Sequence, residues 1–330
     1  YIKDVPNGAK VLEGPVPDWR KFGMPNYGTG GSMGSILGLP RFDTAEFEAR
    51  FPFGKVSLTD KEMPVRVTVL GWSPFIPGDP DNSSLPVGGL EYVLENTSTK
   101  PQEMIFSYHA RNFLSWGKGV DAIKVMPHGF VLSQAGTEAE PHLQGDFAIF
   151  TDEDSPKINY CWFRGGWFDS LTMVWNAIES GLMPQSPAVE KGAPGASIFI
   201  PVTLMPGDKK TIRIYTAWYV PCSTLRIGEE PEDWNDNNVA PATLALERAD
   251  QGNYKPWYSS RFAGIDEVID YLLTHYKTLR EQTEKFTESF YRSTLPSEVI
   301  EAVSANLSIL KSPTVMRQYD GRLWLSLIHI

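Results

Sequence analysis

GASIFIPVTLMPGDKKTIRIYTAWYVP, residues 195–221, decides the fold class. Residues 197–204 and 211–219 are apolar-rich stretches of strand length. MPGDKK between them supplies proline and glycine where a turn needs a preset or a positive φ, so the pair predicts a β-hairpin. ENTSTKPQ, residues 95–102, predicts a second hairpin leading into residues 104–110. Val65, Val67 and Val69 share one strand face with Arg66 and Thr68 on the other, and Leu90, Tyr92 and Leu94 alternate with Glu91 and Glu95. Up to about Phe262 such alternation, punctuated by Gly, Pro, Asn and Asp, dominates the chain. The expected fold is mainly β: a large two-sheet antiparallel β-sandwich over residues 1–262, built from related halves.

The 330 residues are 42% hydrophobic and 21% charged, enough to bury a substantial core. A net charge of -10 without a cluster of Lys and Arg repels a phosphate backbone, which excludes nucleic acid as a partner. No apolar run approaches the roughly 18 residues of a bilayer span, so no transmembrane segment is expected. The first ten residues, YIKDVPNGAK, lack the apolar core of a signal peptide, and no compartment is assigned. Cys161 and Cys222, each near a predicted strand, read as buried free thiols.

From Ile265 the period changes. Ile265, Ile269, Leu272, Tyr276, Leu279, Phe286 and Phe290 mark a long amphipathic helix, with Thr283 filling one position of the seam. Pro296 suits a first helical turn, and Val299, Ile300, Val303, Leu307 and Leu310 give the next helix its stripe before Pro313. Two helices with single stripes need something to lie against, and without it they would expose an apolar patch prone to association. Residues 181–195 and 221–262 stay loop-like for unusually long, as functional or interface loops do.

GGSMG, Gly30 to Gly34, fits the hydrolase nucleophile pattern, but Gly38 and Pro40 break the helix that must follow, so Ser32 reads as part of a flexible loop. The same glycines lack the spacing of a dinucleotide loop, and no cofactor is implied. His109, His128, His142, His275 and His329 never fall at ligand spacing, so no metal site is expected. In PGDPDNSS, Asp79 and Asp81 read as turn caps. No catalytic residue is assigned.

CWFRGGWFDSLTMVW, residues 161–175, holds the candidate contact residues. Gly165 and Gly166 permit a tight turn between two aromatic strand ends, carrying Arg164 and Asp169 to one sheet edge as an ion pair. Trp162 and Trp167 suit either a carbohydrate-stacking platform or a core and domain interface.

WSPFIPGDPDNSSLPV (72–87), MPHGFVLSQAGTEAEPHLQGDFAIF (126–150), CWFRGGWFDSLTMVWN (161–176), YKPWYSSRF (254–262) and LPSEVIEAVSANLSILKSPTVMRQYDGRLW (295–324), together with the opening stretch, resemble the N-terminal region of glycoside hydrolase family 116. These are the non-lysosomal glucosylceramidases and related β-glucosidases. The resemblance runs in order from about residue 42 to 324. It implies a sandwich, then linker helices and the start of an (α/α)6 toroid at residues 263–324. In that toroid a glutamate nucleophile and an aspartate acid/base, about 5 Å apart, carry retaining hydrolysis. Neither falls on this chain. LSLIHI, residues 325–330, departs from the family pattern and resembles a translated sequencing adapter, so a truncated gene and a non-native tail are expected.

The expected function is the non-catalytic sandwich of a β-glucosidase or glucosylceramidase, inactive alone. Its partner is the missing (α/α)6 catalytic domain, through which a β-glucoside or glycolipid substrate is met. The alternatives are a self-sufficient carbohydrate- or glycolipid-binding module acting through Trp162 and Trp167, and a purely structural interaction domain using the long loops.

Overall fold

MPGDKK does not close a hairpin. The computed structural model describes residues 1–19, 36–115, 120–166, 169–225, 254–312 and 314–325, and in it the strands flanking this turn lie in different sheets. β10 (Gly195–Leu204) pairs with β5 (Gln102–Arg111) and β9 (Lys157–Asn159), whereas β11 (Lys209–Tyr219) pairs with β4 (Val87–Asn96) and β8 (Gly145–Thr151). ENTSTKPQ likewise carries the chain from β4 in one sheet to β5 in the other. Both predicted hairpins are therefore inter-sheet arches, and the arches pair with each other, β4 with β11 and β5 with β10, antiparallel throughout. Turn geometry gives the reason. Gly207 follows Pro206 with φ 80°, and the Asp208 N–H donates to the Met205 carbonyl at 3.0 Å. Turns of this unprimed kind splay their strands, whereas primed turns match the strand twist and close hairpins.

The larger sheet runs β1 (Thr44–Arg50), β2 (Phe53–Thr59), β3 (Val65–Trp72), β4, β11, β8, β7 (Gly129–Ala135) and β6 (Val120–Met126), and the smaller runs β5, β10, β9. The expected mainly-β, two-sheet antiparallel sandwich is thus the fold. Between the sheets, Leu58, Phe130, Ile212 and Ile214 pack against Phe106, Ile198 and Ile200. Val65, Val67 and Leu94 point into this core as their alternation predicts.

The opposite face of the larger sheet is also buried. Val87, Val131, Phe150, Tyr215 and Ala217 form a second core under α4 (Ile265–Tyr291), which is why β7 and β8 read as almost continuous apolar runs. Among the described residues the shorter helices α1 (Pro80–Ser83) and α2 (Ser170–Glu179) precede α4, and α3 (Tyr258–Arg261) leads into it. Val268, Leu272 and Leu279 of α4 are sealed against the sheet. Thr283, the polar residue in the stripe, accepts the Phe75 N–H at 3.2 Å, and Thr287 donates to the Phe51 carbonyl at 3.1 Å. The expectation of a bare stripe from Ile265 onward is corrected: the sandwich itself supplies the cover for α4. It does not cover α5 (Ser297–Leu307) and the turn after it, where Val299, Val303 and Leu310 remain 42, 40 and 46% exposed. Beyond α5 the chain ends its described course in a ribbon of β12 (Val315–Arg317) and β13 (Leu323–Leu325), so Leu325 pairs with Val315, and residues 326–330 lie outside the described residues.

Candidate functional site

In the stretch 161–175 a helix replaces the predicted second strand. α2 begins at Ser170 because Asp169 caps it: Oδ1 accepts the Thr172 N–H at 2.9 Å and Oδ2 the Thr172 hydroxyl at 2.6 Å. The Thr172 bonds hold this carboxyl below its usual range. The signal was present in the cap and in Leu171, Val174, Trp175 and Ile178 at steps of three and four, but the run of aromatics masked it.

The candidate contact residues separate accordingly. Trp162 is only 3% exposed, and its indole N–H donates to Ser197 Oγ at 2.8 Å. Arg164 is exposed and donates to the Lys191 carbonyl at 3.2 Å, so the expected ion pair with Asp169 is replaced by three separate bonds, this one and the two that Asp169 accepts from Thr172. Trp167 lies outside the described residues, as do Gly30 to Gly34 with Ser32. Cys161 is a buried free thiol, and Cys222 is free and half-buried.

Sequence reasoning missed what Trp162 meets. Because Ser197 accepts from Trp162, its own proton is available for His109 Nδ1, 2.7 Å away. That assignment leaves the imidazole proton on Nε2, which donates to Ser107 Oγ at 2.8 Å. Burial pulls His109 down to about 4, so the ring is neutral near pH 7. A histidine held this low is a weak base, and the Ser107–His109 contact is structural rather than an activated nucleophile.

These residues border a cleft of about 500 Å³ at the free edge of β5. It exists because three strands cannot cover eight. Residues 1–3 extend the smaller sheet for a short distance only: Ile2 bridges Met104, and the Ile105 N–H donates to the Tyr1 carbonyl at 2.8 Å.

A second cluster ties the C-terminal ribbon to the sandwich. Arg317 Nη2 lies 2.7 Å from Asp81 Oδ1, its Nη1 donates to the Pro80 carbonyl at 3.0 Å, and its guanidinium sits 4.1 Å from the centre of the Trp257 ring. Lys311 Nζ donates to the carbonyls of Ser83 at 2.8 Å and Pro74 at 3.1 Å, and burial lowers it to about 8. Asp79 is the turn cap predicted for PGDPDNSS, accepting the Asn82 N–H at 3.0 Å, while Asp81 serves the ribbon instead. On the outer sheet face, Glu91 accepts Arg280 Nε and the Tyr276 hydroxyl, both at 2.9 Å, clamping α4.

The sequence assigns this arched sandwich to a family. Residues 5–279 match the family described as beta-glucosidase 2, glycosyl-hydrolase family 116 N-term, and the chain belongs to that family as a glycoside hydrolase N-terminal domain. No curated protein matches the sequence. Among solved structures it is similar to a protein assigned as a kojibiose phosphorylase from human microbiome, at 12% identity and TM-score 0.36, over 77% of this chain and 26% of that one. It is also similar to a family GH92 alpha-mannosidase from Bacteroides thetaiotaomicron, at 8% identity and TM-score 0.34, over 92% and 33%. The chain thus spans about a quarter to a third of the length of these structures. Among the described residues no helix is long and apolar enough to cross a membrane.

Proposed function

We infer that this sandwich is the non-catalytic support of a retaining β-glucosidase or glucosylceramidase-like hydrolase, whose reaction belongs to an (α/α)6 catalytic domain. The observation that carries this reading is the uncovered face of α5. It holds Val299 and Val303 out to solvent while the flanking segments are latched to the sandwich through Lys311 and Arg317. A partner domain is the natural cover for such a face. On this reading residues 263–324 are linker helices and the beginning of the catalytic unit, with α4 the anchor that fixes them to the sheet.

Arg164, Trp167 and Asp169 are the second group of contact candidates, and Trp162 is enclosed beside Ser197. Arg164 is exposed and its local bond to Lys191 leaves other N–H donors for a partner. A β-glucoside or glycolipid substrate is met through the catalytic domain. Direct sugar stacking by Trp162 is disfavoured, because its ring is enclosed and its N–H is already spent on Ser197.

A separately expressed (α/α)6 domain from a family 116 enzyme tests the reading. It is expected to co-elute with this chain and to hydrolyse an aryl β-glucoside faster in its presence, while the chain alone hydrolyses none. Val303→Asp on α5 should abolish co-elution. Hydrolysis by the chain alone, or no association, overturns the proposal. Saturable glucoside binding by the isolated chain, lost in Trp167→Ala, would make it a binding module instead.

A further inference from the structure

The cleft at the free edge of β5 has the size and lining of a ligand site. Its volume of about 500 Å³ falls within the roughly 300–1,000 Å³ typical of small-molecule pockets. Val67 and Leu94 line it from the larger sheet, Met104 and Phe106 from β5, and Val174 from α2. Two charges of its lining are matched, Lys10 by Asp60 and Glu13 by Arg41, and burial lowers the Tyr1 amine, which donates to the Ile105 carbonyl, to about 6. Burial pushes Asp60 up, but the Lys10 ammonium and the amides of Glu62 and Asp43 outweigh it and hold the carboxyl low.

Two groups stand apart. Tyr92 from the larger sheet and Tyr108 from the smaller both line the cleft, and among the described residues neither hydroxyl has a hydrogen-bond partner. Burial raises both phenols, Tyr92 the more, so each stays protonated and able to donate. Neither hydroxyl is sealed from solvent, so each is free to exchange water for an acceptor oxygen on a ligand whose apolar body fills the cleft.

We propose that this cleft binds a small uncharged amphiphile, an apolar body bearing one hydroxyl or carbonyl oxygen, with Tyr92 and Tyr108 as the donors that orient it. Apolar walls favour the body, two phenol donors read the oxygen, and the Lys10–Asp60 and Glu13–Arg41 pairs offer little to an ionic head. This goes beyond the support role and does not depend on it.

The test uses the 330-residue chain with the fluorophore N-phenyl-1-naphthylamine as reporter. Saturable one-to-one binding is expected, with 1-dodecanol displacing the reporter about tenfold better than dodecanoate or dodecyltrimethylammonium. The double variant Tyr92→Phe/Tyr108→Phe preserves ring packing; it should keep reporter affinity and weaken dodecanol about tenfold. Val67→Phe, which fills the cleft, should weaken both ligands. The proposal is overturned by absence of saturable binding, by unchanged dodecanol affinity in the double variant, or by reporter binding that survives Val67→Phe but is lost in Val303→Lys. The last result would place the ligand on α5. If Val67→Phe does not fold, the double variant decides alone.

Discussion

Asn96 donates its side-chain amide to the Leu204 carbonyl at 3.0 Å, across 108 residues of chain, and so ties the two inter-sheet arches together. The same nitrogen donates to the Lys100 carbonyl at 2.8 Å, and Oδ1 accepts the Ser98 N–H at 2.9 Å. Its backbone completes the tie, donating to the Asp208 carbonyl and accepting from the Gly207 N–H, each at 3.0 Å. At 1% exposure, none of these groups can turn to water instead. Asn96→Ala is expected to cost about 2 kcal/mol, because it orphans the buried Leu204 carbonyl and removes the part-buried bonds to Lys100 and Ser98. Asn96→Asp should cost more at pH 7, since it sets a carboxylate against two carbonyl oxygens. Urea denaturation of the two variants checks the order.

Acid should weaken the sandwich through His109. Its folded-state value of about 4 lies below the ordinary 6.5, so between these pH values the unfolded chain binds a proton that the folded one refuses. This contribution is fully present above about pH 6.5 and is lost as pH falls toward 4, amounting to about 3 kcal/mol. His109→Gln should flatten that part of the stability curve. A variant as acid-sensitive as the parent would assign the loss to other groups.

The Glu91 clamp on α4 should behave as a buried pair. Arg280 lies 2.9 Å from Glu91, and its guanidinium sits 4.6 Å from the centre of the Phe53 ring. Glu91→Gln is expected to cost about 1–2 kcal/mol, because Arg280 keeps its second partner, Glu284, 3.2 Å from Nη1, and adding Arg280→Met should restore part of that loss. A double-mutant cycle by thermal melting measures the coupling.

Arg317→Lys tests the ribbon latch. Lysine keeps the charge but loses the planar stack on Trp257 and the forked reach to Asp81 and Pro80. Amide exchange over residues 315–325 should accelerate severalfold, while the sheets keep their protection and the global melting point moves little. Uniform acceleration across β10 and β11 would contradict a local latch.

Strand positions were legible in the sequence because alternation is a local property: Val65, Val67 and Leu94 face the core as their spacing demands. Partner choice was not. Whether Leu204 and Lys209 face each other across a hairpin or lead into different sheets depends on the hand of a turn built on Pro206 and Gly207, and then on Asn96, far away in the chain. The helix from Ser170 was hidden for a different reason, since Trp167, Phe168 and Trp175 read as strand-formers while the deciding cap is one aspartate. The neighbours of His109 were invisible altogether: Ser107 is two positions away, but Ser197 and Trp162 join it only once β10 lies beside β5.

The mutual pairing of the two arches also sets a timetable for synthesis. β4 can bond β3 at once, but β5 leaves the ribosome with only the short bridge from residues 1–3 until β10 follows, a wait of roughly 5–20 s at about 5–20 residues per second. For that interval Phe106, Leu94 and their neighbours are apolar and uncovered, so the nascent polypeptide should be a client for holding chaperones, and its yield should depend on them more than its final stability does.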